Sequence, residues 1–375
     1  MTTFSPWVRS RGFGRLLAQE TNISDLLQFL SDRDSAPWAD LVGFVPKIVE
    51  RESLEANADL LLVADDRRAA VEVKAGHVMD AEQQGRYELL SDKTGLFLAA
   101  LSIDRRRLEA DSTSRWRFLS LAEVFEAWVD VDDQVSRVLS REAVLVLREW
   151  DTQLSAVFAP LEDEGGKPLN VLTKKSLAKA VSRRIEIELR DRGRTTRSGV
   201  TSGGGLPLVQ AWTPIRGETE DRSFIAEVRW REKKQGGELR FGVDFGHRPG
   251  EAENEEVRRA AYDLSCSMDD RIDAAALKLH LEASDPRLAK LLNRENSSRP
   301  VARGDWEQVM RHGFAGAHLP DGKRNNRQRT SPAFFGDGAM RFQAIADIDF
   351  ACAGGQDIAD LLDATLSYLA DVQPG

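Results

Sequence analysis

Cysteine is nearly absent from this chain: of 375 residues only Cys266 and Cys352 carry a thiol, far apart and without metal-ligand spacing. A disulfide framework and a zinc site are thereby set aside, and a reducing, cytoplasmic setting is expected. Long hydrophobic runs are also missing. No stretch of about 18 apolar residues occurs, so no membrane span is expected. The opening MTTFSPWVRSRGFGRLL lacks the apolar core of a secretory signal. Excess positive charge is lacking as well, with 52 Lys and Arg against 61 Asp and Glu and a formal net charge of -9. That balance argues against tight nonspecific binding of nucleic acid. It does not exclude an enzyme that acts on phosphates, because phosphates respond to local patches and a metal site itself gathers carboxylates. Repeats and low-complexity tracts are absent. The glycine-rich loop Thr201 to Gly205 is not followed by Gly-Lys-Ser/Thr, which excludes a Walker phosphate loop.

What is present suits a water-soluble globular protein: 41% hydrophobic and 30% charged residues. The length suggests two domains. The segment LEDEGGKPLN, at 161 to 170, combines charge, Gly-Gly and Pro, so a boundary is expected after residue 160. In the first domain, 1–160, leucines at helical spacing predict a helix over 14–30, broken near Thr21 and Asn22, with Asn22 or Ser24 as a cap. Strands are predicted over 44–49, 58–64 and 69–74. The second, ADLLLVA, is apolar on both faces, as in a buried central strand. A helix over 79–90, strands over 95–102 and 115–119, and a long helix over 134–158 complete an α/β layered unit with a mixed sheet.

The polar turn Asp65 to Arg68 predicts that the second and third strands form a hairpin. With that turn centred on Asp66 and Arg67, Asp59 is expected across from Lys74, one diagonal step from Glu72. Alternation puts Glu72 and Lys74 on one face. Two carboxylates and one ammonium then converge, and the repulsion between the carboxylates would be offset by a divalent cation that prefers oxygen ligands. By itself a Glu/Asp-x-Lys triplet is common in a charged chain. Two more begin at Glu232 and Asp321, in a polar turn and a polar loop. The reading that competes is a surface ion pair.

Context adds to the triplet. Gln83 and Tyr87 lie one helical turn apart just after the strand. The run ADLLLVADDRRAAVEVKAGHVMDAEQQGRYELL resembles the PD-(D/E)XK nuclease superfamily, especially RecB-type and Cas4-type members with a Gln-x-x-x-Tyr motif. The resemblance implies a restriction-endonuclease-like mixed sheet flanked by helices. It implies that Asp59 and Glu72 bind Mg²⁺ or Mn²⁺, and that Lys74 acts at the nucleophilic water. Gln83 and Tyr87 would position the substrate strand or the lysine, and Glu20, from the first helix, would add an acid. Ala58 replaces the motif's proline, and Gln84 is an alternative to Gln83. Glu50 and Glu52 are weaker rivals of Glu20, His77 is expected to be a loop residue, and Arg86 could touch phosphate.

The second domain, 161–375, is expected to be α/β or α+β and to serve recognition, regulation or dimerisation, the last giving a homodimer. A basic helix over 172–192 carries Lys175, Arg183, Arg184 and Arg192, and leads past Arg194 into a flexible loop over 195–205. These residues are candidates for tracking phosphates. A second basic-leaning run covers 303–329. Strands are predicted over 206–212, 222–231, 238–246 and 341–349, and helices over 251–268, 304–313 and 356–370. The function expected is a Mg-dependent nuclease acting on DNA, with phage defence or restriction as its setting. RNA ranks lower, because no aromatic platform for single strands is visible. The alternative is a non-catalytic nucleic-acid-binding or assembly protein that retains the fold.

Overall fold

The computed structural model describes residues 11–53, 57–77, 79, 81–105, 108, 115–172, 175–201, 205–219, 221–231, 236–246, 251–298, 310–311 and 341–374. The chain divides into two compact units, Met1–Ala156 and Val157–Gly375, close to the expected boundary. Each is mixed α/β, a sheet flanked by helices.

In the first unit α1 (Arg11–Leu16), α2 (Glu20–Arg33) and α3 (Trp38–Val42) precede β1 (Ile48–Ser53), β2 (Ala58–Val63) and β3 (Arg68–Lys74). Then follow α4 (Ala81–Glu88), β4 (Thr94–Ala100), β5 (Trp116–Ser120), α5 (Leu121–Glu126) and α6 (Gln134–Phe158). The strands lie in the order β1-β2-β3-β4-β5. The first three pair antiparallel, while β4 and β5 are parallel to β3. Parallel neighbours need a crossover, and α4 provides the one between β3 and β4. Leu60, Leu61 and Leu62 are all buried, so β2 is covered on both faces, as its unbroken apolar run requires. On α2, Ile23, Leu27 and Leu30 form a buried helical stripe that packs on β1, β2 and β3. Truncating one of them to alanine costs about 2–5 kcal/mol.

Four local expectations are corrected. The first helix breaks earlier than expected, between Leu16 and Glu20. Asn22 does not cap α2; its Nδ2 donates to the Leu16 carbonyl at 3.0 Å and so closes α1. The first strand begins at Ile48 rather than 44, because Pro46, inside the expected strand, has no N–H for a ladder. The hairpin turn is the two-residue loop Asp65-Asp66, with Val63 paired to Arg68 and the Ala64 amide donating to the Arg67 carbonyl at 2.9 Å.

The second unit contains α7 (Lys175–Asp191), β6 (Thr195–Val200), β7 (Pro207–Pro214), β8 (Arg222–Arg231) and β9 (Gly236–Phe245). These are followed by α8 (Glu251–Ser267), α9 (Ala274–Ser284), α10 (Pro286–Ala289), β10 (Leu292–Ser298), β11 (Arg341–Ile348) and α11 (Gly355–Asp371). Its strands run antiparallel in the order β10-β11-β9-β8-β7-β6. The expected loop over 195–205 is largely a strand. Thr195, Thr196 and Val200 are β-branched, and β6 pairs along its length with β7. Most of the helix expected over 304–313 lies outside the described residues, as do the triplets at Glu232 and Asp321.

One face of this sheet carries a lattice of charges. Arg229 pairs with Glu227, Arg231 with Glu238 and Asp347, and Arg240 with Glu238. Trp212 Nε1 and Arg341 both donate to Asp244 at 2.7 Å. Within this lattice buried Glu227 is held by Gln210 and Arg229. Gln343 is fully buried, and among the described residues neither atom of its amide has a hydrogen-bond partner.

Candidate active site

The hairpin register places Leu60 opposite Val71. One residue further, Asp59 stands opposite Glu72, not Lys74 as expected from a later turn. Alternation keeps Asp59, Glu72 and Lys74 on one face. Glu72 is 3% and Lys74 6% exposed, so each charge must be satisfied from within. The Lys74 ammonium donates to Glu72 Oε1, and the Tyr87 hydroxyl of α4 donates to Glu72 Oε2. The Tyr87 oxygen also accepts from the Asp59 amide at 3.3 Å, and its ring packs edge-on against Trp116 at 5.0 Å. Tyr87 is therefore a strut joining α4, β2 and β3. Its contact is with the carboxylate rather than with the lysine.

Asp59 Oδ2 accepts from the Val73 amide at 2.8 Å. Burial and the neighbouring Glu72 charge push the Asp59 pKa up to about 6, against the opposing pull of the Val73 amide and Lys74. Burial alone would lower the Lys74 pKa, but Glu72, Glu20 and Asp59 outweigh it and hold the ammonium above its ordinary value. Lys74 is thus a cation at neutral pH, suited to stabilising negative charge rather than accepting a proton. Burial, then the Glu72 charge, raises the Tyr87 pKa well above the usual phenol range, so the hydroxyl is a neutral donor.

Glu20 begins α2 and reaches the end of β3. Its Oε1 accepts from the amides of Ala75, Gly76 and His77 at 3.0, 3.0 and 2.7 Å. Its Oε2 lies 4.0 Å from Lys74 Nζ and 3.6 Å from His77 Nδ1. Sequence reasoning placed Glu20 near the site but missed this contact. The only signal was the small pair Ala75-Gly76 after the strand, which leaves the backbone open to a side chain. Gln83 is half-buried one turn before Tyr87. Gln84 instead donates to Glu88 at 3.0 Å on the surface. Arg86 is half-buried, and among the described residues its Nε has no hydrogen-bond partner. Glu50 and Glu52 are exposed, and Glu52 has left-handed backbone (φ 51) and pairs with Arg51.

Among the described residues, no group of three His, Cys, Asp or Glu side chains is arranged to hold a metal ion. Glu20 is turned to the amides, so it does not complete a cage with Asp59 and Glu72. Those two remain as the residues that could hold a divalent cation. The raised proton affinity of Asp59 marks a local shortage of positive charge, and Mg²⁺ takes one or two protein carboxylates with water and substrate phosphate completing its shell. The donor set fits.

The basic segment is corrected in part. Arg184 is buried and donates to the Ala180 carbonyl at 2.9 Å. Arg192 pairs with Glu188 at 3.0 Å and with Asp360 at 2.9 Å. Arg194 binds Asp363 at 2.7 Å, Thr213 at 3.1 Å and Ser367 at 2.8 Å. Arg192 and Arg194 tie the end of α7 to α11, and none of these three presents an open cation. Lys175 is exposed and Arg183 half-buried, each with an interaction of its own. Of the run over 303–329, Arg311 is exposed and, apart from Met310, the rest lies outside the described residues. Nothing among the family models, the curated proteins or the solved structures matches this chain.

Proposed function

We propose that the N-terminal unit is a divalent-metal-dependent nuclease of the PD-(D/E)XK kind, with a restriction-endonuclease-like core, that hydrolyses phosphodiester bonds of DNA. The observation that carries this reading is the convergence of Asp59, Glu72 and Lys74 on one face, with Tyr87 bound to Glu72. Asp59 and Glu72 would hold Mg²⁺ or Mn²⁺, which supplies charge neutralisation at the phosphoryl oxygen and a more acidic bound water. Lys74, protonated and fixed by Glu72, stabilises the negative charge that develops as water adds to phosphorus and the P–O bond breaks. Tyr87 keeps the Glu72 carboxylate in place. Gln83 and Arg86, on the same helix, are the candidates for contact with the substrate strand. The C-terminal unit is assigned recognition, regulation or homodimer formation, and restriction or phage defence is the setting that the resemblance implies.

A second reading, a nucleic-acid binder that retains this core without catalysis, draws on one observation: both Glu72 oxygens are already satisfied by the chain's own Lys74 ammonium and Tyr87 hydroxyl. Incubating the full chain with plasmid, linear and single-stranded DNA, and with RNA, in Mg²⁺, Mn²⁺ or a chelator separates the two. Cleavage that needs the metal and disappears in Lys74→Ala and Asp59→Ala supports the nuclease. Activity that survives both substitutions rejects this site, and a gel shift without cutting supports the binder.

A further inference from the structure

The contact between Glu20 and the turn after β3 is an anion held by backbone. Three consecutive amides, of Ala75, Gly76 and His77, converge on one carboxylate oxygen at 3.0, 3.0 and 2.7 Å. Successive N–H groups aimed at one point form a nest that binds anions of any kind, because it offers donors and no acceptor. The second carboxylate oxygen is used less well. His77 Nδ1 and the Lys74 ammonium stand at 3.6 and 4.0 Å from it, beyond direct hydrogen bonding. A planar carboxylate fills half of this environment. A tetrahedral phosphate, with its charge spread over two or more oxygens, could engage the amides and face Lys74 and the imidazole together. The outer end of the nest lies at the surface: the His77 side chain is 53% and the Glu20 side chain 19% exposed, while Ala75 at the inner end is buried.

We propose that the Ala75–Gly76–His77 amides are a subsite for a phosphate oxygen of the nucleic-acid backbone, and that Glu20 occupies it as an internal surrogate until the substrate displaces it. This rests on the nuclease reading for the identity of the phosphate, since the nest lies at the end of the strand that carries Glu72 and Lys74. Glu20 is then a gatekeeper of the subsite rather than a metal ligand.

The test uses the full chain, chelator throughout, and inorganic phosphate as the probe against chloride at equal ionic strength. Glu20→Ala removes the surrogate. Hydrogen exchange at the amides of residues 75–77 is expected to accelerate at least about tenfold in chloride, as loss of hydrogen bonds to a charged group predicts. Added phosphate should restore protection and raise the melting temperature of the variant, while the parent protein stays insensitive. Glu20→Gln, which keeps the length but loses the charge, should respond to phosphate between the two. It also decides the matter if the alanine variant fails to fold in either salt. Phosphate that leaves exchange and melting of the variants no different from the parent overturns the proposal. Because no divalent metal is present, the outcome is independent of cleavage. A phosphate response in a protein that never cuts DNA keeps the subsite and removes the nuclease, whereas cutting without a phosphate response does the reverse.

Discussion

Replacing Asp59 by Asn should stabilise the protein in the absence of metal, and only above the pH at which the carboxyl ionises. In the native state its pKa is near 6 against an ordinary 3.8. The folded form therefore binds the proton more tightly than the unfolded chain, and stability is lost as pH rises from about 4 through 6. Above that window the ionised native state carries a penalty of about 3 kcal/mol, which solvent screening of a half-buried group reduces to about 1–2 kcal/mol. Asparagine keeps an oxygen to accept from the Val73 amide but carries no charge against Glu72. At pH 8 the metal-free variant should melt roughly 2–8 °C above the parent protein, and the difference should vanish below about pH 4. Added Mg²⁺ should raise the melting temperature of the parent and not of the variant. Calorimetry across a pH series, with exchange protection of the β2 and β3 peptides assigning the transition to the first unit, measures all of this. A variant that is less stable at pH 8, or that differs from the parent equally at pH 4 and pH 8, refutes the reasoning.

Three other substitutions probe the same physics. Tyr87→Phe keeps the ring against Trp116 but strips a donor from Glu72 and an acceptor from the Asp59 amide. It should cost about 1–3 kcal/mol in the urea midpoint at unchanged m, and no loss would mean the hydroxyl is not the strut described. Lys74→Met leaves Glu72 buried without its cation, so the metal-free protein should lose about 3–5 kcal/mol at pH 8. The urea midpoint reads this loss, and an unchanged midpoint would show that the ammonium does not offset the buried carboxylate. Gln343→Leu removes a buried amide without a partner among the described residues and should stabilise the second unit by about 1–2 kcal/mol in thermal melts, whereas destabilisation would show that the amide is satisfied in solution.

The elements that position the site could be read from sequence where periodicity and composition agreed. ADLLLVA and the triplet at Glu72 announced a buried hairpin, and the amphipathic run over 134–158 gave α6 with its ends as expected. The turn was placed one residue too late, which shifts the pairing by two and so keeps the same face, because four polar residues, Asp65 to Arg68, share the turn and composition does not say which two form its tip. The β6 strand was hidden because TTRSGV follows a basic helix and precedes a glycine run. Its strand character comes from pairing with β7, a contact distant from any local signal. Arg192 and Arg194 read as open cations, since their partners Asp360 and Asp363 lie far along the chain on α11. The Glu20 contact was out of reach for the same reason: nothing near residue 20 shows that the amides at 75–77 will face it.

The whole constellation, from Glu20 to Tyr87, precedes β4 in the chain, and β4 is the parallel neighbour of β3 along its full length. During synthesis the hairpin can form while Glu72 still faces water, since its closure is local. Lys74 leaves the ribosome next and Tyr87 soon after, so both hydrogen-bond donors of Glu72 are available before the neighbouring strand that helps enclose it has been made. The order of emergence thus equips the costly acid with its partners ahead of its dehydration, and no stage of assembly requires the carboxylate to be entombed alone.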